Sequence, residues 1–592
     1  MANPLVSDRN VSFLLDEVLD LGALCALPAF AAHSRETFEL YLDSARKLAR
    51  EVLFPAFKPM DEAPPRLTGG QVRVHPAMRE IWPRLFELGL ATATRPDEVG
   101  GQDLPASVAV LASHYCMAAN GAAFGYLGLT QGAAHLIEAF GDDFVKREFM
   151  ARMYAGEWSG TMALTEPHAG SSLADVRTRA RPRADGTFAI DGNKVFISGG
   201  DQDVTANIVH LTLARIEGAP AGIKGVSLFA IPKKRPDGSD NDCTCAGVFH
   251  KMGWRGLPSI ALNFGERGDC RGWLVGEPHR GIAYMFQMMN EARLMVGLNA
   301  VSTASAAYFE ALEYARTRPQ GRPLAARDPA SPQVPIVEHA DVRRMLLKQK
   351  CIVEGGLSLL VACARYADLA RHATDEAERN RSRLLLDLLT PVAKTFPAER
   401  GFEANVLSVQ VHGGYGYTSE YLPEAWLRDQ KLNSIHEGTS GIQSLDLLGR
   451  KMVAEGGAAL LALGAEVEST LSRARAAGVE PEWIDALRSA LAEVRALTLE
   501  LAGKGMAGDR DGMMLHAWDY MELFSIVVIA WQWLLQAAAA REGLRRRDEP
   551  FYRGKLSAAQ HWIKAELPRV SQLVALCRGG EDSYAAVHPD WL

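Results

Sequence analysis

Basic residues do not outnumber acidic ones in this chain of 592 residues: 64 Lys and Arg face 71 Asp and Glu, a formal charge of −7. That balance excludes a general attraction to polyanions, so nucleic acid is not an expected partner. Cysteines are few and scattered, at Cys25, Cys116, Cys243, Cys245, Cys270, Cys351, Cys363 and Cys577, without Cys-x-x-Cys spacing. They fit reduced thiols of a cytoplasmic protein. Cys243 and Cys245 are better explained as neighbours on a strand face or in a loop than as zinc ligands, which need partners at tetrahedral reach, and no metal is expected. No Gly-x-Gly-x-x-Gly joins a strand to a helix, so nicotinamide is not implied. The apolar patch at 21–32 follows Asp8, Glu17 and Asp20 rather than the positive region of a signal peptide. One apolar run, 523–540, approaches membrane length. Ser525, Gln532 and Gln536 interrupt it, and Trp531 and Trp533 stand in its middle instead of at its ends, so a buried core helix is expected and no membrane span.

What is present is ordinary globular composition, 48% apolar and 23% charged, at a length suggesting roughly four domain-sized units. From 37 to 144 apolar residues recur at helical spacing, as in Phe38, Leu42, Ala45, Leu48 and Leu53, with breaks at Pro64-Pro65 and at Gly100-Gly101. Between 160 and 281 the pattern turns strand-like. Residues 188–197 show two short apolar runs about Asp191-Gly192, a hairpin signal, and 208–213, 226–231 and 260–264 add further strands. Helical patterns resume at 284–317, 338–373 and 380–410, then at 483–501 and 513–544. The expected fold is mainly α with an inserted antiparallel β domain: an N-terminal helical domain at 1–159, the β domain at 160–281, a helical bundle at 282–455 and an extra C-terminal helical domain at 456–592.

The chemistry-bearing motifs cluster late. Gln410-Val-His-Gly413-Gly414-Tyr-Gly416-Tyr417 is a glycine-dense turn where backbone can approach a phosphate or ribose. Arg428-Asp429 follows, then Ile435-His436-Glu437-Gly438-Thr439, whose carboxylate stands where a regular run breaks. Earlier, Met162-Ala-Leu164-Thr165-Glu166-Pro-His168-Ala-Gly170-Ser171 offers backbone NH and hydroxyl groups at the entrance to the β region. Lys194-Val-Phe196-Ile197-Ser198 lies on a strand, where alternation alone makes Phe196 a core residue. Asn290 and Arg293 share a helix face, which reads equally well as a solvated face carrying Glu291 and Arg293.

Taken in order, these segments resemble the acyl-CoA dehydrogenase family: Gln-x-x-Gly-Gly-x-Gly-Tyr, Arg-Asp and Glu-Gly-Thr at family spacing, with Thr-Glu-Pro-x-Ala-Gly-Ser upstream. The length beyond Glu437 is similar to a longer subgroup that includes 3-methylmercaptopropionyl-CoA dehydrogenases and mycobacterial broad-specificity acyl-CoA dehydrogenases. The resemblance implies FAD as cofactor, with Glu437 removing the α-proton of an acyl-CoA thioester. It places Met162, Leu164, Thr165, Phe196 and Ser198 about the flavin ring and Ser171 at the pyrophosphate or the CoA. Arg318 and Gln320 then meet the FAD diphosphate across a dimer interface, and Gln410, Gly413 and Gly414 take the adenosine half from a partner subunit. Thr439 joins the cofactor contacts; Asn290, Arg293 and Gly438 join the substrate contacts. His436 stands where the family has tyrosine, Ser172 where it has aspartate, and Asn290 where it has an acidic residue.

The implied reaction is α,β-dehydrogenation to the trans-2-enoyl-CoA, with electron-transfer flavoprotein reoxidising the flavin and a homodimer or dimer of dimers as the assembly. An oxygen-using acyl-CoA oxidase, a DNA-associated homologue and a non-catalytic scaffold are the rival readings. From Lys451 onward 16 Lys or Arg stand against 19 Asp or Glu, which disfavours DNA, and Arg545-Arg546-Arg547 is followed at once by Asp548-Glu549 as at a solvated helix end. An intact Glu437 disfavours the scaffold.

Overall fold

Continuous apolar runs, which a strand shows when both its faces are covered, become the centre of a sheet. The computed structural model describes residues 3–326, 328 and 330–592; the side chains of 286–290, and so the Asn290 contact expected above, lie outside the described residues. The chain divides into two compact units, one made of Met1–Phe38, Pro105–His114 and Arg293–Leu592, the other of Glu39–Leu104 and Tyr115–Ala292.

The second unit holds all ten strands. A small hairpin, β1 (Arg66–Thr68) and β2 (Gln71–Arg73), stands apart from the main sheet. The rest are β3 (Trp158–Ala163), β4 (Arg179–Pro182), β5 (Phe188–Ser198), β6 (Asn207–Ile216), β7 (Val226–Pro232), β8 (Cys243–Val248), β9 (Ser259–Phe264) and β10 (Arg271–Leu274). Their order is β10-β7-β6-β4-β5-β9-β8, and β10 bonds to β5 as well as β7, so five strands close on themselves. Most pairings are antiparallel, as expected; β3 and β4 each run parallel to β6. Leu211, Leu213, Val226 and Leu228 from β6 and β7 pack with Phe149, Met153 and Trp158 in one core.

The hairpin expected at Asp191-Gly192 does not form. β5 runs through both residues, pairing Asp191 with Arg179 and Gly192 with Phe264. The glycine answers a close approach and not a turn: a Cβ there would stand 2.5 Å from Thr178 Oγ1. A register shift between Lys194 and Ile197 follows, a bulge that turns the strand. Cys243 and Cys245 both stand on β8, and Cys243 Sγ lies 3.8 Å from Cys270 Sγ, a neighbour that spacing did not reveal.

Helices Ala340–His372 and Glu376–His412, with the Gly281–Thr317 helix from Arg293 onward, supply long elements of the first unit. Gly297 lets two of them nearly touch, since a Cβ there would lie 2.0 Å from the Ala393 carbonyl oxygen. Asp375 caps the Glu376–His412 helix by accepting from the Ala377 and Glu378 amides. The expected 513–544 helix is interrupted, as Arg510–Met514 and then Ala517–Arg546. The latter is a core helix, its most apolar window 94% buried. Several of its polar atoms are paired: Trp531 Nε1 donates to Thr470 Oγ1 (2.8 Å), Trp533 Nε1 to the Cys351 carbonyl (3.1 Å), and Gln532 Oε1 accepts from Ser358 Oγ (2.7 Å).

One buried ion cluster ties distant segments of this unit. Lys555 Nζ donates to Glu354 Oε2 (2.6 Å), to Gln536 Oε1 (2.8 Å) and to Asn10 Oδ1, while Lys350 holds the other oxygen of Glu354 at 2.5 Å. Burial pulls the Lys555 ammonium down to about 8. Removing it leaves three polar partners short of a donor, so Lys555→Ala is expected to cost about 3 kcal/mol, read as a lower urea midpoint at unchanged slope. A midpoint equal to the wild type's would show that the cluster contributes nothing.

Candidate active site

Glu437 and Gly438 both adopt left-handed backbone, φ +53° and +84°. Glycine tolerates this; for glutamate it costs about 1 kcal/mol or more and needs support from its surroundings. The support is visible. Thr439 caps the Ser440–Asp446 helix, its Oγ1 accepting from the Ile442 amide at 3.3 Å. Gln443 Nε2 donates back to the Glu437 carbonyl (3.2 Å), and Ser440 Oγ donates to Glu399 Oε1 (2.5 Å) on the Glu376–His412 helix.

Burial raises the Glu437 carboxyl, and the cations Arg293 and Lys394 restrain that rise; the net position is above the ordinary glutamate value. Burial, with help from Lys394, drops the neighbouring His436 to about 3, so its imidazole is neutral at pH 7. Arg293 is buried, 3% exposed, and donates from Nη1 to Asp446 Oδ2 at 3.0 Å. It is therefore not part of a solvated helix face. Asp446 also accepts from Arg450 Nε (2.6 Å); burial alone would raise that carboxyl, and the two arginines hold it below the usual range. Glu437, Gly438, Thr439 and Arg293 thus share one electrostatic neighbourhood.

A second group in this unit lies where the Gly281–Thr317 and Glu376–His412 helices end. Tyr314 stacks on His412 with ring centroids 4.4 Å apart, and Tyr421 meets both edge-on or tilted. Arg318 is exposed, with its guanidinium 5.9 Å from the ring of Tyr415. Gln410, Gly413 and Gly414 are exposed alongside, and the space where each glycine's Cβ would stand is open. Gln320 is exposed too, its carbonyl accepting from His339 Nε2 at 2.7 Å.

In the other unit, the Val195 amide donates to the Thr165 carbonyl (2.9 Å), which sets the 162–171 stretch beside the bulge of β5. Met162 and Leu164 are half-buried against the core. Phe196 is not a core residue: the bulge puts it at φ +60° and leaves it 62% exposed, stacked on Phe249 at 4.6 Å. Ser198 closes β5, paired with Ser259. Ser171 is exposed, and Ser172 Oγ donates to Asp175. His168 Nε2 meets the Asp175 carbonyl at 3.1 Å, a loop contact.

Several residues that matter here were not singled out from sequence. Lys194 is wholly buried and braces the loop, donating to Glu166 Oε1 (2.8 Å) and to the carbonyls of Leu164 (3.1 Å) and Leu213 (2.9 Å). Burial lowers it to about 8. Glu166 in turn accepts from the Arg177 and Thr178 amides and from Thr178 Oγ1. Lys394, Gln443 and Asp446 were missed as well. The signal for Lys394 was available: a lone charge inside the apolar stretch 388–396.

Four family models match the chain: "Acyl-CoA dehydrogenase, N-terminal domain" over 35–157, "Acyl-CoA dehydrogenase, middle domain" over 161–266, "Acyl-CoA dehydrogenase, C-terminal domain" over 279–452, and "Acetyl-CoA dehydrogenase C-terminal like" over 463–588. The chain is 35% identical over 575 residues to the 3-methylmercaptopropionyl-CoA dehydrogenase of Ruegeria pomeroyi, spanning 95% of this chain and 96% of that protein. It is 33% identical over 581 residues to the broad-specificity linear acyl-CoA dehydrogenase FadE5 of Mycobacterium tuberculosis, spanning 95% of each. Among solved structures, an acyl-CoA dehydrogenase complexed with FAD from Bacillus anthracis has the same fold, with a TM-score of 0.75 at 19% identity over 100% of this chain and 93% of that one.

Lys194→Met removes the two hydrogen bonds that brace the 164–166 loop and a third that ties the lysine to Leu213. Amide hydrogen exchange at 164–166 and 177–178 is expected to quicken at least about tenfold. Protection equal to the wild type's would show that the loop is held by something else.

Proposed function

The chain belongs to the acyl-CoA dehydrogenase family, and on that premise we propose which of its residues carry the reaction and what assembly they serve. The protein is an FAD-dependent oxidoreductase that dehydrogenates an acyl-CoA thioester between its α and β carbons. Bound FAD supplies the acceptor for the hydride that leaves the β-carbon.

The residues present fit that cofactor. In one unit Lys194 holds the Leu164 carbonyl and Glu166, and the Val195 amide holds the Thr165 carbonyl, so that the loop after Met162 lies beside the strand that carries the exposed ring of Phe196 and Ser198, residues that suit the isoalloxazine. In the other, Arg318 offers an exposed guanidinium and Gly413 and Gly414 offer uncluttered backbone, suited to a diphosphate and an adenosine. Gln320, Gln410, Thr439 and Ser171 complete the proposed contacts. Asn290 and Gly438 are assigned to the thioester's carrier arm and head, with Arg293 fixing that end of the site through Asp446.

Glu437 is the base. The observation that carries the assignment is a carboxylate held in strained left-handed backbone, with burial lifting its pKa towards neutrality. A thioester acidifies its α-carbon, and a backbone N–H aimed at the carbonyl oxygen stabilises the charge that develops there. The amide of Glu437 is assigned that role, so that donor and base arrive on one residue. The neutral imidazole of His436 lies next to the carboxylate without competing for the proton. The product is the trans-2-enoyl-CoA.

The physiological electron acceptor is proposed to be electron-transfer flavoprotein, and the enzyme a cytoplasmic homodimer or dimer of dimers. The dimer follows from the exposed Arg318 and Gly413-Gly414 group, which suits a cofactor half presented by a second subunit. Which saturated acyl-CoA is used is answered by a panel of 3-methylmercaptopropionyl-CoA, butanoyl-CoA and longer linear thioesters with a dye acceptor.

Glu437→Gln is expected to retain yellow, stoichiometric FAD and to lose about a thousandfold in turnover, because an amide cannot accept the proton. In the wild type, activity should fall as pH drops through the raised Glu437 value and protonates the base. Undiminished turnover in Glu437→Gln would remove the residue from its role.

A further inference from the structure

Four lysines of this chain are buried among the described residues, and three of them are ion-paired: Lys194 with Glu166, Lys555 with Glu354, and Lys451 with Asp387. The fourth is Lys394. It is wholly buried in the Glu376–His412 helix, and its Nζ has no hydrogen-bond partner among the described residues. An unmatched ammonium in an apolar helix face is costly, and cores ordinarily replace it or pair it.

Its surroundings narrow what it acts on. Gly297 brings the Gly281–Thr317 helix against the carbonyl of Ala393, the residue before Lys394, and Arg293 lies one turn back on that helix. Arg293 is already matched by Asp446 at 3.0 Å, and Asp446 is shared with Arg450. On the lysine's own helix, Glu399 accepts a hydrogen bond from Ser440 Oγ at 2.5 Å. From the loop that follows the Pro423–Lys431 helix come His436, neutral at pH 7, and Glu437. Lys394 feels the charge of Glu399 first and that of Glu437 second, and of the two only Glu437 is the proposed base.

We propose that Lys394 is a positioning residue for proton abstraction, a buried counter-charge that keeps Glu437 a carboxylate when the α-carbon arrives. It acts through Glu437 and does not touch the thioester. The inference rests on Glu437 being the base. Burial favours the protonated, inactive carboxyl, whereas a nearby unmatched cation favours the ionised one. Arg293 is the larger of the two cations that restrain Glu437, but it is ion-paired with Asp446, whereas Lys394 has no hydrogen-bonded partner among the described residues. Once Glu437 has taken the proton, the ammonium keeps only the help of Glu399's charge, without a hydrogen bond to it, which favours passing that proton on to solvent and resetting the base.

The test uses the FAD-loaded enzyme, the most active member of the thioester panel and a dye acceptor, with kcat/KM measured across pH for Lys394→Gln and Lys394→Arg. Lys394→Gln is expected to keep its flavin spectrum and to move the acidic midpoint of kcat/KM upward by about one pH unit. Activity then falls about tenfold at pH values below both midpoints and stays unchanged well above them. Lys394→Arg, always charged, should restore the wild-type midpoint. An acidic midpoint in flavin-loaded Lys394→Gln that coincides with the wild type's overturns the inference. So does a Lys394→Arg midpoint displaced as far as that of Lys394→Gln. Should Lys394→Gln fail to hold FAD, difference infrared titration of the wild type against Glu437→Gln decides. A carboxyl midpoint below about 6 supports the counter-charge, and one near about 8, the range of buried unpaired carboxyls, refutes it. Full turnover in Glu437→Gln would defeat the base assignment itself, whereas an inactive Glu437→Gln beside an unshifted Lys394→Gln defeats only the role of Lys394.

Discussion

A charge carried into a low-dielectric interior has to be matched there, and that requirement arranges both units of this protein. In the sheet-containing unit, Lys194 penetrates the core and gathers Glu166 and two carbonyls around it. The 164–166 backbone is thereby pulled onto the strand that carries Phe196 and Ser198. In the helical unit, Lys555 and Lys350 share Glu354. Asp368 meets the start of the Ala106–Phe140 helix, accepting from the Ala106 and Ser107 amides at 2.6 and 3.1 Å and from Ser107 Oγ at 2.8 Å. Around the proposed base, Arg293 is ion-paired with Asp446, and Lys394 stands without a hydrogen-bonded partner among the described residues. The scaffold lysines are paired; the unpaired one lies beside the proposed site.

Phe196 and Glu437 are two of the nine described non-glycine residues at positive φ, and both project from a break in regular structure. Each break has an identifiable cause. At Phe196 it is the bulge between Lys194 and Ile197. At Glu437 it is the cap of the Ser440–Asp446 helix, reinforced by Gln443 holding the Glu437 carbonyl. Strain of this kind persists only where surrounding contacts over-determine the conformation, and it keeps a side chain aimed at a ligand without further reorganisation.

The C-terminal helices share a core with the bundle that bears the proposed base. Trp533 donates to the Cys351 carbonyl, Trp562 Nε1 to that of Ile526, and Lys555 reaches both Glu354 and Asn10. The apolar middle of the Ala517–Arg546 helix has no solvent-facing stripe, because its neighbours bury 94% of its most apolar window; Trp518, Arg545 and Arg546 near its ends are exposed. Truncating the chain after the Ser440–Asp446 helix would therefore uncover a core, not merely shorten a tail.

Much of this was legible in the sequence where the signal is local. The long helices, the strands at 208–213 and 226–231, the buried character of 523–540 and the family resemblance through Glu437-Gly438-Thr439 all depend on neighbours in the chain. The Asp191-Gly192 hairpin failed because glycine signals close approach as readily as a turn, and only the packed position of Thr178 shows which applies. Phe196 looked like a core residue because alternation cannot anticipate a bulge. Arg293 looked as exposed as it was buried, since its partner Asp446 lies 153 residues away. Periodicity and motif order thus determined the fold class, the cofactor chemistry and the identity of the proposed base. Tertiary structure alone decided which charges are matched and which are left to act, because a Coulomb partner is set by distance in space and by the dielectric around it, neither of which is written along the chain.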